Sequence, residues 1–202
     1  TSGASTMFGV KENNFLGKGI KLDSNISLSE ETLKGQFFLV NPNFNNTDRD
    51  LIFNLQSSET DRLTDFGYKV SKNCFSLGTR FEQFENLFFN PEFLISFEDL
   101  ETNASASKQL RKQEGSYEDL NFNYSLNYDL RNSKFQPSSG NITSFFQELP
   151  VVSDNKEISN TLTYSQYKML NSSTNMIGKA SVYFKAVNSL DGSDVRISKR
   201  AF

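Results

Sequence analysis

Residues 120–130 read Leu-Asn-Phe-Asn-Tyr-Ser-Leu-Asn-Tyr-Asp-Leu. Every even position is apolar and every odd one is polar. A period of two sends successive side chains to opposite faces of a β-strand. One face then carries Leu120, Phe122, Tyr124, Leu126, Tyr128 and Leu130, and the other carries Asn121, Asn123, Ser125, Asn127 and Asp129. The second set is a poor partner for a dry core, and the first is an odd set to leave in water. A strand this long and this two-sided fits a wall between lipid and water. Soluble sandwiches commonly use strands of about five or six residues. The reading predicts that Asn121, Asn123 and Asn127 line an aqueous lumen while Phe122, Tyr124 and Leu126 face lipid.

The alternation recurs along the chain. Over 17–28, Ile20, Leu22, Ile26 and Leu28 oppose Lys21, Asp23, Asn25 and Ser27. Over 177–187, Ala180, Val182, Phe184 and Ala186 oppose Lys179, Ser181, Tyr183 and Lys185. Leu51, Phe53 and Leu55 alternate with Asn54 and Gln56, and the stretches 33–40, 87–97, 142–149 and 157–169 also read as strands. The 68–82 stretch loses phase near Lys72–Cys74, which predicts a bulge. A short first strand is expected around Thr6–Glu12, and the 120–130 segment falls seventh.

Turn signals separate these runs: Ser29-Glu30-Glu31, Asn41-Pro42-Asn43, Thr60–Asp65, Pro137-Ser138-Ser139-Gly140, Asp154-Asn155, Asn171-Ser172-Ser173 and Asp191-Gly192-Ser193. Such short links imply antiparallel neighbours, because parallel crossovers need a dozen or more residues. Ser105–Glu114 is the one helical candidate, polar throughout, and reads as a turn or short surface helix. The expected fold is all-β, an antiparallel up-and-down meander of about ten strands from a transmembrane β-barrel. No linker divides residues 1–202. A further strand start at Val195–Ile197 just before the last residue points to a piece of a larger strand system, since natural β proteins avoid raw edges.

Bulk composition is compatible with that fold. Mean hydropathy is −0.52, and no run of about 18 apolar residues marks a transmembrane helix. In a barrel only alternate residues face lipid, so mean hydropathy stays low. The chain has 20 Phe and 7 Tyr, with no Trp and no His. Those aromatics would serve either as interfacial girdles of a barrel or as the core of a soluble sandwich. Net charge is −3 with Lys and Arg scattered, which is no nucleic-acid footprint.

Catalytic chemistry is hard to assemble. Without His the usual general base is missing, and Ser-His-Asp or Cys-His systems cannot form. The pairs Glu30-Glu31 and Glu98-Asp99 are adjacent in sequence, so on a strand they point to opposite faces. Cys74 is the single cysteine, so it forms no internal disulfide, and it lacks His partners for zinc. Asp48–Asp50 and Asp191–Asp194 do not follow an EF-hand pattern. The expectation is a non-enzyme without a cofactor or metal.

Three segments resemble the barrel of the BamA family of outer-membrane β-barrel assembly factors. Phe8–Gly19, with Asn14, Phe15, Leu16, Gly17 and Gly19, is similar to the family's first hairpin. Phe38–Phe44, with Asn41, Pro42 and Phe44, is similar to the tip after the third strand, although Asn43 stands where the family has an aromatic. Tyr128–Gly140, with Asp129, Arg131, Pro137 and Gly140, is similar to the hairpin between strands seven and eight. Arg131 keeps the phase of Asp129, so an ion pair inside the lumen is expected. Order and spacing of all three match, over most of the chain.

The resemblance implies a bacterial outer-membrane location and a role in folding and inserting other barrels. It implies a sixteen-stranded barrel preceded by POTRA domains, of which residues 1–202 would be the N-terminal part. An Arg-Gly-Phe loop would follow near Arg200-Ala201-Phe202. Implied partners are outer-membrane lipid, nascent β-barrel proteins and accessory assembly lipoproteins. A weak lateral seam at the first strand, Thr6, Met7, Phe8, Gly9, Val10 and Lys11, would let an incoming strand pair with an exposed edge. The alternatives are a related Omp85-type translocation barrel (TamA-like or a secretion partner), a passive porin, or a soluble sandwich that binds a partner.

Overall fold

The computed structural model describes residues 4–171, 173–192, 194–196 and 199–200. Ten strands follow one another: β1 (Ser5–Phe15), β2 (Ile20–Ser29), β3 (Thr32–Asn41), β4 (Arg49–Arg62), β5 (Tyr68–Phe84), β6 (Leu87–Thr102), β7 (Gly115–Asp129), β8 (Gly140–Val152), β9 (Glu157–Asn171) and β10 (Met176–Ser189). They form a single sheet whose spatial order is the order of the chain. Every neighbouring pair is antiparallel, as the short polar links require. Among the described residues β1 and β10 share no ladder, so both are edges. The helical elements are a one-turn α1 at Lys108–Arg111, whose Ser107 hydroxyl accepts from the Leu110 N–H, and a 3-10 turn at Phe44–Asn46.

The registers fix which side chains share a face. Leu120, Phe122, Tyr124, Leu126 and Tyr128 of β7 stand opposite Ile95, Phe93, Pro91, Phe89 and Leu87 of β6. The same face continues through Phe75 and Leu77 of β5, Leu55 and Phe53 of β4, and Phe37 and Leu39 of β3. Aromatic rings meet across these strands edge-on: Phe37 to Phe53 at 6.2 Å and Phe53 to Phe75 at 5.2 Å. Among the described residues nothing covers this face, and many of its large apolar side chains are exposed, including Phe93, Phe97, Leu77, Val182 and Phe184.

The opposite face is polar and buried. Ser76, Ser96, Glu98, Asp119, Asn121, Asn123, Glu157, Ser159 and Ser165 are buried, whereas the described apolar core amounts to Leu100 and Ala106. This is the reverse of a soluble protein, in which buried positions are mainly apolar. The sheet curls around its polar side and turns its apolar side outward, as a barrel wall in lipid does.

Three sequence expectations are corrected. β1 is 11 residues long, not short, because the strand continues through Asn13 and Asn14 by way of a bulge between Glu12 and Phe15. No bulge lies at Lys72–Cys74: β5 pairs without interruption there on both sides, and its irregularity falls between Glu82 and Phe84. The phase loss had another cause. Ser71 and Asn73 lie on the outer face, beyond the last outer apolar residue, Phe75, so polar residues occupy both faces. Finally, Val195 and Arg196 belong to no strand, because the chain turns inward after β10; Ile197 lies outside the described residues.

Candidate functional site

The edge strand β1 is the first element of the site. It pairs with β2 alone, from Ser5 opposite Ser29 to Phe15 opposite Ile20. All of Thr6, Met7, Phe8, Gly9, Val10 and Lys11 are exposed, Phe8 by 73%. Alternate N–H and C=O groups of an edge strand point away from its partner and are free for another strand. Outward from β1 stand Thr6, Phe8, Val10 and Glu12, opposite Leu28, Ile26, Ser24 and Leu22. Before the bulge only Phe8 and Val10 are apolar, so the outer apolar band is about three residues tall there, with Phe15 beyond the bulge opposite Ile20. On β7 it spans the nine residues from Leu120 to Tyr128.

Two hairpins frame that contrast. After β1, the Asn14 carbonyl accepts from the Gly17 N–H at 2.9 Å, and its side-chain Oδ1 accepts from the Gly19 N–H at 2.7 Å. Leu16, Gly17 and Gly19 all have positive φ, at 59°, 68° and 69°. The turn stands open, with nothing near the position of a Cβ on either glycine. After β7 the chain is packed tightly. Gly140 has φ 94°, and a Cβ there would lie 2.1 Å from the Leu130 carbonyl oxygen. Arg131 donates through Nε and Nη2 to the two oxygens of Asp129, both at 2.8 Å. The Asn132 side chain accepts from the N–H groups of Ser138 and Ser139 across the loop that contains Pro137. Asn41 closes β3, Pro42 follows in the turn, and Phe44 begins the 3-10 turn behind Asn43, which takes φ 51°.

The polar face of β7 is built as a ladder. Asn121 and Asn123 are 1% and 2% exposed. Asn121 donates to Glu148 of β8, Asn123 donates to Glu92 of β6, and Asn127 accepts from the Ser144 hydroxyl. Phe122, Tyr124 and Leu126 point the other way and are half-buried among outer-face neighbours. The outer face is not wholly apolar: the Tyr124 hydroxyl donates to Gln147 at 2.9 Å, and Gln147 donates to Asn160.

Below this ladder the polar face holds a buried charge cluster that no local pattern announced. Arg196 is 1% exposed. Its Nη2 lies 2.5 Å from Asp119 of β7, and its backbone N–H donates to Glu157 of β9 at 2.6 Å. Its guanidinium sits 4.8 Å over the Tyr117 ring. Lys199 reaches Glu148 at 2.8 Å, Asp119 at 3.8 Å and Glu157 at 3.9 Å. Among the described residues no group of His, Cys, Asp and Glu is arranged to hold a metal ion.

A polar, curled interior, an outward apolar belt and a ten-strand meander define the comparison to make. The Omp85 superfamily domain model matches residues 14–202. The chain belongs to the Omp85 superfamily. Its fold is that of a BamA barrel: the structure of BamA from Haemophilus ducreyi lacking POTRA domains 1-3 is similar at a TM-score of 0.79 and 22% identity. That likeness covers 96% of this chain and 40% of the BamA chain, so this chain spans less than half of that relative's length. No curated protein matches it.

For an Omp85 barrel wall, two kinds of residue were legible and one was not. The hairpin residues carry turn chemistry, and the β7 residues carry period two. Asp119 and Glu157 look like any other polar residue of an alternating strand. Their partner Arg196 lies 77 positions from Asp119, beyond any local spacing rule.

Proposed function

We propose that this chain is the N-terminal part of the barrel domain of a bacterial outer-membrane assembly factor, and that it helps β-barrel proteins fold and insert through a weak lateral seam at β1. The observation that carries the reading is the exposed β1 edge, whose outer face from Thr6 to Glu12 carries only Phe8 and Val10 as apolar residues. A strand arriving from a nascent barrel would find free backbone donors and acceptors on β1, and main-chain hydrogen bonds would supply the first attachment. The short band at Phe8 and Val10 fits a thinned bilayer, which lowers the cost of bringing polar backbone into the membrane. Membership of the Omp85 superfamily and the BamA-like fold support a non-catalytic role of this type. The same reading places outer-membrane lipid around the outer face, with nascent β-barrel proteins and accessory assembly lipoproteins as partners.

The residues take roles accordingly. Thr6–Lys11 form the seam. Asn121, Asn123 and Asn127 face the lumen, and Phe122, Tyr124 and Leu126 face lipid. Gly17, Gly19, Pro42, Pro137 and Gly140 shape the hairpin tips. The second reading is an Omp85-type translocation barrel, which shares the superfamily and the same first strands.

Site-specific crosslinking decides between them. In a Cys74→Ser background, a cysteine at Val10 in the full-length protein is expected to crosslink to a β-barrel substrate stalled during insertion, and one at Phe122 is not. Equal crosslinking from both positions would remove the seam. Crosslinks to a non-barrel substrate in transit would favour the translocation reading.

A further inference from the structure

One row of the outer face is built mainly from small side chains. Ile26 of β2, Gly35 of β3, Ser57 of β4, Asn73 of β5, Phe97 of β6 and Glu118 of β7 stand side by side across six strands. The adjacent row carries Phe37, Leu55 and Phe75. Both of its rings pack edge-on against Phe53, one row further away, and so leave the small row open. The result is a groove of about 480 Å³, with Ile26 and Phe97 at its ends and Gly35, Ser57 and Asn73 along its floor. Nothing lies within 4 Å of where a Cβ on Gly35 would stand. A second hollow of about 220 Å³ shares Asn73 and Phe97 with the first and adds Ser71, Asp99, Ser116 and Glu118 on the outer face. The two hollows are one groove with an apolar end and an acidic end.

The groove also crosses the edge of the apolar belt. At β2 and β3 the row beyond it is still apolar, with Leu28 opposite Leu33. At β4 to β7 that same row is Glu59, Ser71, Asp99 and Ser116. The acidic end therefore lies at the boundary of the belt, and the apolar end lies within it. Glu59, Asp61, Asp99, Glu101 and Glu118 are all exposed there. Lys69, the base among them, is held by Glu59 at 2.9 Å. Asp99 keeps a neutral partner, the Ser116 hydroxyl, which donates to it at 2.6 Å.

We propose that this groove holds one membrane phospholipid with an ethanolamine headgroup, its ammonium at Asp99 and Glu118 and one acyl chain along Gly35 toward Ile26. The proposal rests on the reading that the outer face meets lipid. Charge complementarity selects the head: clustered carboxylates attract a cation and repel an anionic head. A primary ammonium also carries three N–H donors for carboxylate oxygens, which a choline head lacks. The Asn73 carbonyl oxygen accepts from Ser57 at 2.7 Å, which leaves the Asn73 amide N–H groups to donate to a phosphate oxygen. A groove of about 480 Å³ falls in the range of small-molecule sites. A chain lying in it touches protein on its sides as well as beneath, which a chain on flat wall does not.

The test uses the full-length protein with Cys74 replaced by Ser and a fluorophore on a cysteine at Leu33, beside the groove. A second protein carries the fluorophore at Leu162, on the outer face of β9. Both sites are exposed. The vesicles are phosphatidylcholine with a small fraction of brominated phosphatidylethanolamine or brominated anionic phosphatidylglycerol, and bromine quenches the label on contact. Quenching at Leu33 is expected to be about threefold stronger with the ethanolamine lipid, the size of one exposed charge pair. At Leu162 the two lipids are expected to quench equally. Asp99→Asn with Glu118→Gln is expected to abolish the preference at Leu33. Gly35→Phe fills the groove and is expected to abolish it without touching charge. Resistance of the band to heat unfolding on a gel reports whether each variant is folded, and the exposed Asp99 and Glu118 changes keep the test readable if Gly35→Phe does not fold. Equal quenching of the Leu33 label by the two lipids, or a preference that survives the charge changes, overturns the proposal. A Leu33 label that neither lipid reaches, while both reach Leu162, means that protein covers the groove and overturns it as well. If neither label is quenched, the lipid-facing reading of the wall fails, and the proposal with it.

Discussion

β7 and β1 obey the same alternation and live under different constraints. β7 is paired on both sides, carries a nine-residue apolar belt outward and hides an asparagine ladder within. β1 is paired on one side, offers two apolar residues to the outside between Thr6 and Glu12 and is exposed along almost its whole length. Period two specifies a strand and its faces, but not how firmly the strand is held. Holding comes from the second partner and from the height of the belt. A wall with one strong region and one weak one can open at a defined place without losing the rest.

Charge on the outer face should separate the two most sharply. An Arg facing lipid at bilayer mid-depth costs about 2–4 kcal/mol and nearly nothing close to the interface. Phe122→Arg is therefore expected to lower stability by about 3 kcal/mol in a denaturant titration from lipid vesicles, and Phe8→Arg by less than about 1 kcal/mol. Comparable losses would mean that β1 sits as deep in the membrane as β7.

The glycines of the two hairpins give the next difference. Gly140→Ala must move the Leu130 carbonyl as well as adopt an unfavourable φ, and is expected to cost about 2–3 kcal/mol. Gly17→Ala meets open space and should cost about 1 kcal/mol from backbone conformation alone. The same titration reads both. Asp129→Asn is of the same size: it weakens a bidentate pair that remains partly solvated, and about 1 kcal/mol is expected. Spin labels at 122 and 123 sharpen the facing of β7: oxygen in the lipid should relax the first, and a water-soluble nickel reagent the second. The reverse pattern would invert the wall.

How much of this could be read beforehand follows from the range of each interaction. The strands, their order and the faces of β7 follow from neighbours two residues apart, and hairpins such as Asn14–Gly19 follow from turn chemistry. Where the outer belt ends, at Ser71 and Asn73, a straight strand imitates a bulge, because both faces become polar. The full length of β1 is not legible because Asn13 and Asn14 interrupt its alternation, yet a bulge keeps them in the strand. The Arg196 cluster depends on a chain reversal after β10, and nothing near Arg196 in sequence encodes its distant partners.

Whether β1 is held more weakly than β7, as proposed, can be measured directly by amide hydrogen exchange on the full-length protein in bilayers. The amides of Thr6–Lys11 should exchange at least about 100-fold faster than those of Leu120–Tyr128, because an openable edge samples unpaired states at low free energy. Equal protection of the two segments would contradict a seam at β1.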